Sequence, residues 1–229
     1  MHTELCIEAS LHRSPRITSV GGLAGRQTGP DTVHLIGTAA TPLGGDTITV
    51  RISVAAGAHL EVRSVAASLA MPGGQLRHSS AQWHFDVAAG ASLIFDPEPM
   101  VVVSDASHSV VNTIVLQQDS RLWLRERTQI GRFEESSGRW SSAMRCDVGQ
   151  RPLLRHRVEL GQGSISHDVL STPLSMSSTL QYPDARASDV DLRGGTVRLA
   201  LAGGGSLSTS VGRRLQPTGP DSPDRSLLI

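Results

Sequence analysis

Lysine is absent from this chain, so all 21 of its basic residues are arginine. That gap removes a Walker-type phosphate loop, a Schiff-base enzyme and a kinase-type lysine together, because each needs a primary amine on a flexible stem. Cysteine is almost absent as well. Cys6 and Cys146 stand far apart and form no CxxC pair, which argues against a structural zinc site or a disulfide framework and makes a reduced, cytoplasmic location the expectation. Aromatic residues amount to only 3%, few for the stacking platforms of a sugar enzyme. Net charge is missing too: 21 acidic residues offset the arginines, so neither nucleic acid nor an anionic membrane surface is an expected partner. No apolar run reaches the length of a membrane-spanning helix. The opening Met1-His2-Thr3-Glu4-Leu5 lacks the basic and apolar regions of a signal peptide.

What the chain does have is a repeat. Val54-Ala55-Ala56-Gly57-Ala58-His59-Leu60 returns 33 positions later as Val87-Ala88-Ala89-Gly90-Ala91-Ser92-Leu93. A fainter echo, Leu116-Gln117-Gln118-Asp119-Ser120-Arg121-Leu122, follows 29 positions after that. Each copy joins an incoming apolar strand to an outgoing one through a tight turn. A fixed period of this size marks a supersecondary unit that must stack to bury its apolar face. Ile48, Val50, Ile52 and Val54 alternate with Thr47, Thr49, Arg51 and Ser53, the signature of a half-buried strand.

The expected fold is therefore mainly β: a layered, β-helical stack of β-hairpin rungs with one or two short helices. Asp184–Leu192 is the best helix candidate, and residues 13–31, rich in glycine, read as loop. Residues 1–215 are expected to form a single β-rich domain. Residues 216–229, with Pro217, Gly219, Pro220 and Pro223, are expected to form a disordered tail.

Candidate chemistry is sparse. Asp105, Ser107, His108 and Ser109 offer the residue types of a nucleophilic triad, but on one loop rather than converging, and there is no Gly-x-Ser-x-Gly elbow. His59 and Glu61, two apart on a strand, leave the same face and suit a divalent cation with N/O preference; a solvated strand face is the plainer reading. Asp46, after two glycines, and Asp96 and Glu98, bracketing Pro97, fit capped turns. Glu126, within Arg125-Glu126-Arg127, reads as an ion-paired strand residue or, more interestingly, as an inward polar group needing partners.

Taken in order, several stretches resemble the urease accessory proteins called UreD (UreH in some organisms), from about His34 to about Leu160. They are Gly44-Gly45-Asp46, Ser64-Val65-Ala66-Ala67-Ser68, and Leu93-Ile94-Phe95-Asp96-Pro97-Glu98-Pro99. To these add Arg125-Glu126-Arg127-Thr128-Gln129-Ile130-Gly131-Arg132, followed by Glu134 or Glu135 and Gly138. The chain looks like a short, divergent member; Phe133-Glu134-Glu135 stands where the family usually has a glycine before the acid.

The resemblance implies a β-layered scaffold without catalysis of its own. Its expected partners are apo-urease, a helical UreF-like accessory protein and, through it, a UreG-like GTPase. It would assist GTP-dependent nickel insertion, with no tightly bound cofactor and Ni²⁺ in transit through an internal passage. Asp46, Glu98, His108 and Glu126 are the candidates for polar groups along that passage, with His59 and Glu61 as weaker ones. Two other classes are weighed against this. One is a β-solenoid polysaccharide lyase or hydrolase using acids on neighbouring rungs, such as Glu61 and Asp96. The other is a β-rich interaction module without metal traffic.

Overall fold

The structure is a computed structural model that describes residues 1–164, 172–192 and 194–216. Its strands are β1 (His2–Ser10), β2 (Arg13–Val20), β3 (Leu23–Gln27), β4 (Thr32–Gly37), β5 (Thr47–Val54) and β6 (His59–Ser64). Next come β7 (Ser68–Ala70), β8 (His78–Val87), β9 (Ser92–Asp96), β10 (Met100–Val102), β11 (Ser107–Leu116) and β12 (Arg121–Ile130). The last six are β13 (Arg139–Val148), β14 (Arg151–Gly161), β15 (Ser175–Tyr182), β16 (Asp189–Asp191), β17 (Thr196–Leu201) and β18 (Gly205–Gly212).

Two sheets face each other across one core. The first has 7 strands in the order β14-β13-β11-β8-β5-β1-β2. The second has 11, running β16-β17-β18-β15-β12-β9-β6-β4-β3 with β7 and β10 on a side ladder. Within the first sheet β1, β5, β8, β11 and β13 are parallel; within the second, β4, β6, β9 and β12 are. The chain thus passes alternately between sheets and advances one strand per turn, a β-helix.

The sequence repeat is the register of this helix. Thr47 lies beside Ser80 in one sheet and His59 beside Ser92 in the other, both 33 apart. Ser107 lies beside His78, and Arg121 beside Ser92, both 29 apart. The turn residues stack likewise. Gly57 and Gly90 have φ of 70° and 66°, a left-handed backbone that costs glycine nothing. In the third copy Asp119 takes the same conformation, φ 60°, as a short polar side chain can. Each turn closes on an i to i+3 bond: Ala58 N–H to Ala55 O, Ala91 N–H to Ala88 O, Ser120 N–H to Gln117 O.

These rungs differ from hairpins. The strands on either side of a turn do not pair with one another: β5 pairs with β1 and β8, while β6 pairs with β4 and β9. The reason lies in the apolar faces. Val50, Ile52 and Val54 must meet Leu60 and Val62 across the core, which places the two strands in opposite sheets. Antiparallel strands close the stack, with β2 on β1, β3 on β4, β14 on β13 and β15 on β12. The parallel rungs are therefore not left as open edges.

Two further expectations are corrected. Among the described residues no helix occurs. In Asp184–Leu192 the backbone finds its partners on β17 instead: Asp189–Asp191 pairs with it antiparallel, and Ala187 O and Ser188 Oγ bond Arg198 and Ala200. The glycine-rich 13–31 segment is largely strand, because β2 and β3 are edge strands whose exposed faces carry no apolar alternation. The tail expected from 216 lies, from residue 217 onward, outside the described residues.

Candidate functional site: a cavity between the sheets

Along the inward face of the first sheet, Ile48, Ala81, Val110 and Ser142 stand side by side at one level. Two of the four are short, so the column cannot fill the space opposite it. Trp83 and Asn112 stand at the next level, and His108 beside Trp140 at the level before. The second sheet contributes Phe95, Leu124 and Glu126. Between them lies a cavity of ≈ 430 Å³, flanked by the 64–69 segment and Pro97–Glu98. Phe95 packs edge-on to Trp83 and Phe85 at 5.1 and 5.0 Å between ring centres.

Glu126 is the centre of the cavity's polar wall. Strand parity sends Leu122, Leu124 and Glu126 inward and Arg125 and Arg127 the other way. Its Oε1 accepts from Ser142 Oγ at 3.0 Å and Asn112 Nδ2 at 3.2 Å, and Oε2 has no hydrogen-bond partner among the described residues. No cation lies within ion-pair distance among the described residues. Burial lifts the carboxyl well above the usual range, to about 7, although the bonds from Ser142 and Asn112 pull the other way. Near neutrality it is shared between acid and carboxylate.

His108 is buried, its Nδ1 2.9 Å from Ser79 Oγ on the neighbouring rung. Burial, then the proximity of His78, lowers its pKa to about 4, so it is a neutral imidazole at physiological pH. Glu98 stands at the rim, exposed, 3.8 Å from Arg127. Its N–H donates to Ser64 Oγ, tying two cavity loops together.

Asp46 has a different place. It is buried and does not line the cavity. Its carboxylate accepts from Thr41 Oγ1 at 2.8 Å, Leu43 N–H at 2.9 Å and the Met1 amino group, bracing the turn whose Thr41 and Pro42 do line it. Burial opposes its charge, but these bonds outweigh it and hold the carboxyl below the usual range. His59 and Glu61 lie on the outer face of β6, away from the cavity. His59 Nδ1 is 2.8 Å from Ser92 Oγ, and Glu61 binds Arg63 Nε at 2.6 Å. The three cavity candidates are thus brought together, and Asp46, His59 and Glu61 are not. Among the described residues no cluster of three or more His, Cys, Asp or Glu side chains is close enough to hold a metal ion.

The other chemistries find little support in the geometry. Asp105 pairs with Arg77 at 3.2 Å, Ser107 and Ser109 face His78, and His108 points inward, so the triad residue types diverge. Asp96 is locked by Arg125 Nε and Nη2, both at 2.8 Å, with Arg125 also stacked on Trp123. Glu61 and Asp96 are both engaged by arginine, which suits neither a general acid nor a general base. Sequence reading missed Asn112, Ser142, Trp83 and Trp140. The available signal was a polar Asn112 and Ser142 at positions where the alternation of β11 and β13 calls for an apolar side chain.

The family model described as UreD urease accessory protein matches residues 23–183, further at both ends than the motifs alone suggest. Urease accessory protein UreD 1 of Saccharopolyspora erythraea is 32% identical over 207 residues, covering 88% of this chain and 80% of its own. UreD of Frankia alni is 34% identical over 225 residues, 86% of this chain and 76% of its own. UreD of a Parafrankia species is 45% identical over 120 residues, 52% of this chain and 40% of its own. With a model match across most of its length and relatives above 30% identity along it, the chain belongs to the UreD family of urease accessory proteins.

Proposed function

We propose that this chain is a cytoplasmic, non-catalytic scaffold of urease maturation. It binds apo-urease and a UreF–UreG accessory complex and assists GTP-dependent nickel insertion, the cavity forming part of the ion's route. GTP hydrolysis belongs to a partner, in keeping with a chain that has no lysine for a phosphate loop. The observation that carries the reading is Glu126: an inward carboxyl beside a cavity, bonded through one oxygen and with no counter-cation among the described residues. An enclosed carboxylate without a counter-charge is costly, and a passing divalent cation relieves that cost. Glu98 at the rim and the neutral His108 add single, separated donors. Separated donors suit transit, since a route must bind an ion weakly enough to let it go.

The test is urease activation in cells carrying Glu126→Ala, Glu98→Ala or His108→Ala, with urease nickel content and complex assembly measured alongside. Glu126→Ala is expected to lower nickel content while the complex still assembles. Normal activation by all three variants would remove the route from this cavity. Failure to recover urease with the wild-type chain would remove the scaffold reading itself.

A further inference from the structure

The outer face of the first sheet carries charge in two rows that run across the strands. In one, Cys6, Arg51, His84, Thr113 and Arg145 lie side by side in register, with Arg155 of β14 continuing it. In the next row along the strands come Glu8, Ser53, Asp86, Val115 and Asp147, with Arg16 of β2 beside Glu8 and Pro152 of β14 beside Asp147. The first row is cationic and the second anionic, separated by two residues, roughly 7 Å. Toward β11 and β13 the face is small and neutral, with Ser109, Val111, Thr113, Val115 and Ala143 each half-exposed, while the row flanking the cationic one also carries Glu4, Gln82 and Arg157. Arg16 and Arg155 already pair with Glu8 and Asp147, at 3.6 and 2.5 Å. Arg51, Arg145 and Asp86 have no ion pair among the described residues.

Two parallel rows of opposite sign on a flat sheet are complementary to themselves. A two-fold axis lying in the plane of the face, across the strands and midway between the rows, lays each cationic row on the other copy's anionic row. Because the register is known, the meeting points follow. Arg51 falls opposite Ser53 of the second copy, between its Glu8 and Asp86. Arg145 falls opposite Asp147, and His84 opposite Asp86. On β11, between the charged pairs of β8 and β13, Thr113 meets Val115 of the second copy, completing an isologous contact. We infer that this face is a self-association surface through which two copies of the chain pair face to face about such an axis.

Charge exchange tests this. Sedimentation equilibrium of the full wild-type chain is expected to show a monomer–dimer equilibrium that weakens as salt is raised. Asp86→Arg alone, or Arg51→Asp alone, sets like charges opposite each other and is expected to weaken association about tenfold or more. An equimolar mixture of the two variants re-pairs both contacts, because one chain carries arginine and the other aspartate at both positions. It is expected to dimerise as the wild type does, which also shows that the variants are folded. A wild-type chain that stays monomeric at every concentration assigns the face to a different protein and overturns the inference. So does a dimer indifferent to both substitutions, or a mixture that fails to recover.

Discussion

Replacing Glu126 by glutamine should change the dependence of folding stability on pH rather than the fold. The side chains are isosteric, and a glutamine carbonyl at the Oε1 position accepts the same bonds from Ser142 and Asn112. Burial holds the wild-type carboxyl at about 7 in the folded state, against an ordinary value of 4.5. The sign follows from proton counts. Between these values the folded chain holds a proton that the unfolded chain has released, so stability falls as pH rises through that window and is level above it. At 1.36 kcal/mol per pKa unit, the loss at pH 8 relative to pH 4 is on the order of 3 kcal/mol from this group alone. Glutamine cannot titrate and keeps that stability. The variant should therefore match the wild type near pH 4 and exceed it by up to about 3 kcal/mol at pH 8, or roughly 6–12 °C in Tm for a chain of this size. Denaturant titration of both chains across pH 4–8 measures it. Parallel profiles, with the difference unchanged from pH 4 to pH 8, would refute an uncompensated buried carboxyl.

Arg125→Met strands the buried Asp96, leaving it only Arg127 and Arg63 at 3.5 and 3.7 Å, and should cost about 3–5 kcal/mol by chemical denaturation. Adding Asp96→Asn should recover much of that loss, in a double-mutant cycle. Gly57→Ala and Gly90→Ala each force an alanine into left-handed backbone and should cost about 1–2 kcal/mol in the same assay, while Asp119→Gly, already left-handed, should stay within about 0.5 kcal/mol. Alanine at His59 or Glu61, on the outer face, should leave nickel delivery to urease at the wild-type level, measured as urease nickel content.

How much of this was legible beforehand varied with the physics of each segment. The repeat through Gly57, Gly90 and Asp119 was readable because parallel stacking puts equivalent residues in equivalent surroundings. Alternation in Thr47–Val54 was readable because one face of β5 is buried and the other is not. The edge strands β2 and β3 were unreadable, since an edge strand open to solvent needs no pattern. The rung as a paired hairpin was a natural reading of two strands about a turn, and only the demand that both apolar faces share a core separates the alternatives. At the site, Glu126 could be singled out but not its partners. Asn112 and Ser142 are 14 and 16 residues away on different strands of the opposite sheet, and bringing them together requires the rung register. Asp46 lies outside the cavity, its carboxylate engaged by the bonds of its own turn.

The constancy of the turn column has one more consequence. Both sheets step by 33 residues and then by 29, so rungs of different length share one alignment at the Gly57–Gly90–Asp119 side. Most of the extra residues are taken up on the other side, in the stretch between β7 and β8. One side of the molecule acts as a binding and the other as the loose edge of the pages. A rung can therefore lengthen or shorten on that side while the walls that carry Glu126, Asn112 and Ser142 stay where they are.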